Sequence, residues 1–367
     1  MDSPETRRQM LLWITASCGI FPVQMAERLG GDRQINRNIA YGALRDGYTE
    51  WCRWVYGDRI VRGYYITAKG LAYLAEQDPD SADLLLAQHG EICNNRGDRD
   101  AVIRAAKAIG MTMAYAAGAV ILPERKPALC LADGRDRLPA GPDTPYYYSM
   151  YEIRAAVQEY DPRTKLRQSG MSGVIIRGSR CYCLYYIWTK RMFWRARVEA
   201  GTLAELDTLL CARGFNCDSF STVLIGQKTD VAAKFVGPDA PWASRSSPLD
   251  TGFGSCFFVT NDKRGDSLLR LITDERRSAE FGSRILRGEY RPLEKPDRVF
   301  DAVTQDGERP VMLAYDLDLL RLRGLDPAPP GFREGPIVLC LDYQADAVQK
   351  MVGGMAEVRV IREALPV

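Results

Sequence analysis

The sequence of 367 residues predicts a multidomain chain of mixed class, α+β or α/β, and three observations carry that expectation. The length suits two or three domains at roughly 100–200 residues each. Residues 1–77 read in the order helix, helix, helix, hairpin, helix. Beyond residue 145 strand-like and helix-like runs alternate, the pattern of a layered domain with a mixed sheet. Composition separates three blocks: an Arg- and aromatic-rich block 1–77, a helical segment with an irregular connector 78–145, and a mixed α/β block 146–367.

A first helix carries Leu11, Ile14 and Cys18 toward a core, and Pro22 suits the first position of a second helix with Val23, Ala26 and Leu29 on one face. Gly30-Gly31 ends that helix. Asp32 is placed to cap a third helix over residues 33–45, because its carboxylate accepts the free N–H groups at a helix start. At about 100° per residue, Ile35, Ile39, Ala40, Gly42 and Ala43 fall on one side of it. Gln34, Arg37, Asn38, Tyr41 and Arg45 fall on the other, and Asn36 is a misfit among the apolar positions. Residues 48–56 and 59–66 read as aromatic-rich strands joined at Gly57-Asp58, and Thr67-Ala68-Lys69-Gly70 opens a closing helix.

In the second block Leu84, Leu85 and Leu86, then Val102, Ile103, Ala106 and Ile109, follow helical spacing, and the Pro/Gly/Asp-rich stretch 123–145 reads as a connector. In the third block strands are expected at 174–176, 181–187, 193–198, 222–225, 298–303, 311–315, 337–341 and 357–361. Helices are expected at 203–212, 230–236 and 345–352.

Several function classes are excluded by counting. The chain has one histidine, His89, so a metal cage of two or three imidazoles, an HExxH zinc protease and a Cys₂His₂ finger are out. A Ser-His-Asp or Cys-His triad would need His89, and no nucleophile elbow accompanies it. Ten scattered cysteines without a CxxC read as reduced, buried thiols of a cytoplasmic protein, with structural zinc as the minor alternative. Arg7-Arg8 and the apolar run after it imitate an export signal, but Asp2 and Glu5 dilute the positive end. The apolar run 111–122 is about half of a membrane span, so no membrane partner is expected.

The polar face of the third helix has the side chains that suit a major groove, Arg for guanine edges or phosphates and Asn or Gln for adenine. The expected double-stranded DNA contacts are Arg33, Gln34, Arg37, Asn38, Tyr41 and Arg45 on that helix, Arg53, Arg59 and Arg62 on the hairpin, and Lys69. Overall charge is only +2, yet residues 1–75 hold ten basic and seven acidic side chains, a local excess of three. The stretch Tyr65-Ile66-Thr67-Ala68-Lys69-Gly70-Leu71 resembles the wing end and closing helix of bacterial winged helix-turn-helix domains, where a Tyr-x-Leu-Thr-x-Lys-Gly pattern recurs.

Together with the segment 172–186 and the final strand-helix-strand of 336–361, that start is similar to the plasmid replication-relaxation family of conjugative elements. The resemblance implies a DNA-binding protein of a mobile genetic element, serving replication, mobilisation or transcriptional control, and a C-terminal block like that of restriction endonucleases. Such readers often act as homodimers on paired half-sites.

A nuclease of that kind needs carboxylates for Mg²⁺ and a lysine near the attacking water. Here Pro296-Asp297 is followed by Asp316-Leu317-Asp318, with an aspartate where the lysine belongs; Lys295 or Arg321 could take that role, though nothing in the spacing requires it. The leading expectation is therefore a non-enzymatic DNA binder without a metal or cofactor. The alternatives are a metal-dependent nuclease using Asp297, Asp316 and Asp318, or a protein-interaction module. Tyr146-Tyr147-Tyr148 with Tyr151 reads as a packed aromatic corner rather than a stacking platform, and Met111, Met113 and Tyr115 read as core.

Overall fold

The computed structural model describes residues 3–56, 59–79, 85–86, 89–90, 97–129, 143–163, 166, 169–188, 194–215, 217–238, 240–242, 247–293 and 297–366. Helices and sheets are mixed in an α+β arrangement. The chain divides into two compact units, residues 1–186 with 204–217 and residues 187–203 with 218–367. Among the described residues no helix is long and apolar enough to cross a membrane.

The first unit opens with α1 (Pro4–Cys18), whose Leu11, Ile14 and Cys18 are buried as the periodicity requires. The expected second helix at Pro22 is not α-helical. Phe21–Pro22 is a short strand, β1, and Val23–Arg28 a 3-10 turn. The apolar face was legible, since Ala26 and Leu29 are buried, but Phe21 and Pro22 are committed to pairing with Tyr64 and Gly63 and hold an extended backbone.

Next comes α2 (Arg33–Arg45), with the Asp32 carboxylate accepting from the Ile35 N–H at 3.0 Å. Strands β2 (Thr49–Tyr56) and β3 (Arg59–Ile66) form the antiparallel hairpin, and α3 (Ala68–Gln77) closes the block. The Gly57-Asp58 turn lies outside the described residues.

The centre of this unit is α4 (Asp98–Ala116), which packs on α1, on the hairpin, and on the strands β5 (Met171–Arg177) and β6 (Arg180–Tyr186). Its Met111 and Met113 are core side chains, while Tyr115 is half-buried. At Gly110 the helix comes so close to β5 that a Cβ would lie 2.7 Å from the Ser172 Cβ.

The Tyr146 cluster is strand β4 (Tyr146–Ser149), antiparallel to β5, followed by a capped helix α5 (Met150–Tyr160). Tyr147 and Tyr148 are buried and donate to the carbonyls of Ser172 (3.0 Å) and Pro127 (2.8 Å). Of the connector, residues 130–142 lie outside the described residues, as does Leu84.

A strand was expected at 193–198, but Ala196–Ala212 is a helix, α6. Its buried positions Glu199, Thr202, Leu206, Leu209 and Leu210 recur at helical spacing, which outweighs a short alternation of apolar residues before it; Phe193 itself lies outside the described residues.

In the second unit β7 (Ser219–Gly226) runs parallel to β8 (Ser255–Thr260). The stretch expected as a helix at 230–236 is a 3-10 turn, Thr229–Lys234. Helices α7 (Lys263–Ile272) and α8 (Glu275–Leu286) follow. The remaining sheet has the order β13-β12-β11-β10-β9, formed by β9 (Tyr290–Pro292), β10 (Ala302–Thr304), β11 (Pro310–Leu313), β12 (Ile337–Leu341) and β13 (Glu357–Ile361). β11, β12 and β13 are parallel, with β9 and β10 antiparallel at the other side. The short helix α9 (Leu319–Arg323) and α10 (Ala345–Val352) complete the unit. Only the end of the strand expected at 298–303 is one, because Asp297 holds its first residues in a turn.

Candidate nucleic-acid interface

α2 presents Arg33, Gln34, Arg37, Asn38, Tyr41 and Arg45 to solvent and buries Ile39, Ala40, Gly42 and Ala43. The helical-wheel expectation holds at Asn36, which lies inside, and fails at Ile35. Asn36 is fully buried, accepting from Arg7 Nη1 at 2.7 Å and donating to the Gly30 carbonyl at 2.7 Å. Ile35, expected inside, is 42% exposed. Ile35 lies about 100° round the helix from Asn36, on its exposed side.

Most of the cations expected to meet DNA already have partners. Arg33 and Arg37 both grip Glu27, Arg37 Nε at 2.6 Å from its Oε1. The Arg33 hydrogen bond holds the Glu27 carboxyl below its usual range; burial opposes it, and the Arg37 hydrogen bond adds to the lowering. Arg45 pairs with Asp46 at 3.1 Å. Lys69 donates to the Asp46 carbonyl at 2.7 Å, at the end of α2, and lies over the Tyr48 ring. Gln34 donates to Asn38 at 3.1 Å. Tyr41 stands out at 68% exposure.

The Thr-x-Lys-Gly segment is built for the joint between the hairpin and α3. Thr67 Oγ1 accepts from the Gly70 N–H (3.1 Å) and donates to the Gly47 carbonyl (2.7 Å). Gly70 packs so tightly that a Cβ would lie 2.3 Å from the Tyr48 carbonyl oxygen.

The hairpin carries a different surface. Arg53 and Arg62 face each other across the strands, both exposed, and neither forms an ion pair with an acid among the described residues. Like charges directly opposite on one sheet face repel. Around them Trp51, Val55 and Ile60 are 51%, 42% and 52% exposed on the same face. The side chain of Arg59 lies outside the described residues. Period-two alternation in 49–56 was the signal that would have placed Trp51, Arg53 and Val55 together; Glu27 had no local signal, since only the tertiary fold brings it to α2.

In the second unit the three aspartates expected as metal ligands have separate local duties. Asp297 accepts from the Val299 and Phe300 N–H groups (2.7 and 2.9 Å). Asp318 is buried and accepts from the N–H groups of Cys256 (3.1 Å) and Leu320 (3.0 Å). Among the described residues Asp316 accepts a single long 3.3 Å bond, from the Asp318 N–H, and burial pushes its carboxyl up to about 7, with Arg321 opposing. Between them Leu317 has φ 49°, left-handed backbone that a branched apolar residue adopts at a cost.

Arg321 is engaged by its own neighbours. It pairs with Asp301, a residue the sequence did not single out, and donates to the Val299 (2.7 Å) and Leu313 (3.2 Å) carbonyls. Pro296 and Lys295 lie outside the described residues. Among the described residues no group of three His, Cys, Asp or Glu is arranged to hold a metal ion. Compared with models of protein families, with curated proteins and with solved structures, the chain has no match in any of the three.

Proposed function

We propose that this chain is a sequence-specific double-stranded DNA-binding protein of a mobile genetic element, serving replication, mobilisation or transcriptional control. In this reading residues 1–77 are a winged helix-turn-helix domain, α2 the recognition helix and the β2–β3 hairpin the wing. The plasmid replication-relaxation resemblance, a homodimer on paired half-sites and a cytoplasmic location belong to the same reading. The observation that carries it is the opposed pair Arg53 and Arg62 on the hairpin, without an acid partner among the described residues, beside a helix whose exposed face offers Gln34, Asn38 and Tyr41. Phosphate would relieve the repulsion of the pair, and amide side chains read adenine edges.

An electrophoretic shift of the chain's own flanking intergenic DNA, against scrambled competitor, tests the reading. The expected result is a preferred complex whose preference is lost in Gln34→Ala with Asn38→Ala while non-specific binding persists. Absence of any complex, or an unchanged preference in the variant, overturns it.

A second reading, a protein-interaction module, is favoured by the apolar exposure of Ile35, Trp51, Val55 and Ile60. A pull-down that succeeds in the absence of DNA and fails with Trp51→Ser would favour it. The separate local duties of Asp297, Asp316 and Asp318 give the nuclease reading no support.

A further inference from the structure

We infer that Cys181 and Cys217 form an oxidisable dithiol, a disulfide-forming site within the first unit. β6 carries Cys181 and Cys183 two positions apart, so both thiols lie on one face of the strand, and both are fully buried. Cys217 follows α6, with 35 residues between it and Cys181. The fold nevertheless brings the three together, the Cys181 thiol being hydrogen-bonded with those of both Cys183 and Cys217.

Of the three, only Cys217 is partly open to solvent. Along an extended strand, residues i and i+2 have Cα atoms about 6.7 Å apart, at the far limit of disulfide reach. The partner for Cys181 is therefore Cys217 across the fold rather than Cys183 along the strand.

Burial keeps Cys181 protonated, well above the usual thiol range, so reaction starts at Cys217. With hydrogen peroxide as oxidant, the Cys217 thiolate forms an S–O bond as the O–O bond breaks, and the released hydroxide takes the thiol proton as water. Cys181 sulfur then attacks the Cys217 sulfenic sulfur. The S–S bond forms, the S–O bond breaks, and the leaving hydroxide takes the Cys181 proton. Two thiols lose two electrons in all, and one peroxide becomes two waters. The bridge closes a loop in the unfolded chain and so stabilises the folded one.

The test is a peptide map of the reduced full-length chain after peroxide treatment and capping of free thiols, without a reducing agent. The expected result is a linked Cys181–Cys217 peptide, a higher thermal midpoint than the reduced chain, and reversal of both by dithiothreitol. Cys217→Ser loses link and shift, and Cys211→Ser, at an exposed thiol elsewhere on α6, keeps them. A Cys217 joined to any other cysteine, sulfinic or sulfonic acid at Cys217, or all three thiols still open to capping overturns the inference. The wild-type map decides even if a variant fails to fold.

Discussion

Asn36 occupies a position where the periodicity of α2 asks for an apolar side chain, and its burial against Arg7 explains the exception. Arg7 is itself buried, donates to the Gly30 carbonyl as well (3.1 Å), and its Nε has no partner among the described residues. The guanidinium is under-satisfied already. Asn36→Ala removes its best acceptor and is expected to cost about 2–4 kcal/mol in urea unfolding, since a buried charge is left poorly compensated. Asn36→Leu, which restores the helical pattern, is expected to be no better. Arg37→Ala, on the exposed face, should stay within about 0.5 kcal/mol.

Asp316 sets a second expectation at this scale. Its folded carboxyl titrates at about 7, above the unfolded value near 4, so the folded chain binds its proton more tightly. The stabilising contribution is full below about pH 4 and is lost as pH rises through about 7. Asp318 and Asp301 push in the same direction and Arg321 against it. Asp316→Asn should therefore be more stable than wild type at pH 8 by about 1 kcal/mol or more, the gap closing on acidification. Equal pH profiles from denaturant melts would remove this account.

At the scale of elements, the joint between the hairpin and α3 is where sequence and structure agree most closely. The cap at Thr67 and the close approach at Gly70 each explain one letter of a short pattern. Gly70→Ala is expected to unfold α3 from the hairpin or to cost about 1–3 kcal/mol, because the neighbour it meets is backbone and cannot rotate away. Circular dichroism melts of the full chain check it, with Gly90→Ala, which meets nothing within 4 Å, as the control.

Elements with a strong local signature were legible for the same reason: Asp32 and α2, the two hairpin strands, β12, α10 and β13 stand where cap, alternation and spacing put them. Elements without such a signature depend on distant partners. Pro22 is drawn into pairing with Gly63, and α7 and α8 carry charged, arginine-rich faces that dilute the apolar pattern in the sequence. In the candidate site the exposed face of α2 could be read from the wheel. That Glu27 already holds two of its arginines could not, since residues six and ten positions apart meet only once the 3-10 turn lies against α2.

For the whole molecule, a net charge of +2 gives no long-range attraction to DNA, so affinity must come from a few local cations. Glu27 and Asp46 offset Arg33, Arg37 and Arg45 within α2's surroundings, which leaves Arg53 and Arg62 as the described cations best able to displace counterions. Each phosphate neutralised contributes a slope of about 0.9 in the logarithm of affinity against the logarithm of salt. Arg53→Ala with Arg62→Ala should flatten that slope by about 2, so the advantage of wild type over the variant shrinks about tenfold between about 50 and 200 mM salt. Arg33→Ala with Arg37→Ala also frees Glu27, and should weaken binding with less than half that change in slope if the pairing persists on DNA. Equal flattening by both double variants would mean that DNA strips Glu27 from its arginines, and the phosphate contacts would then be shared between helix and hairpin.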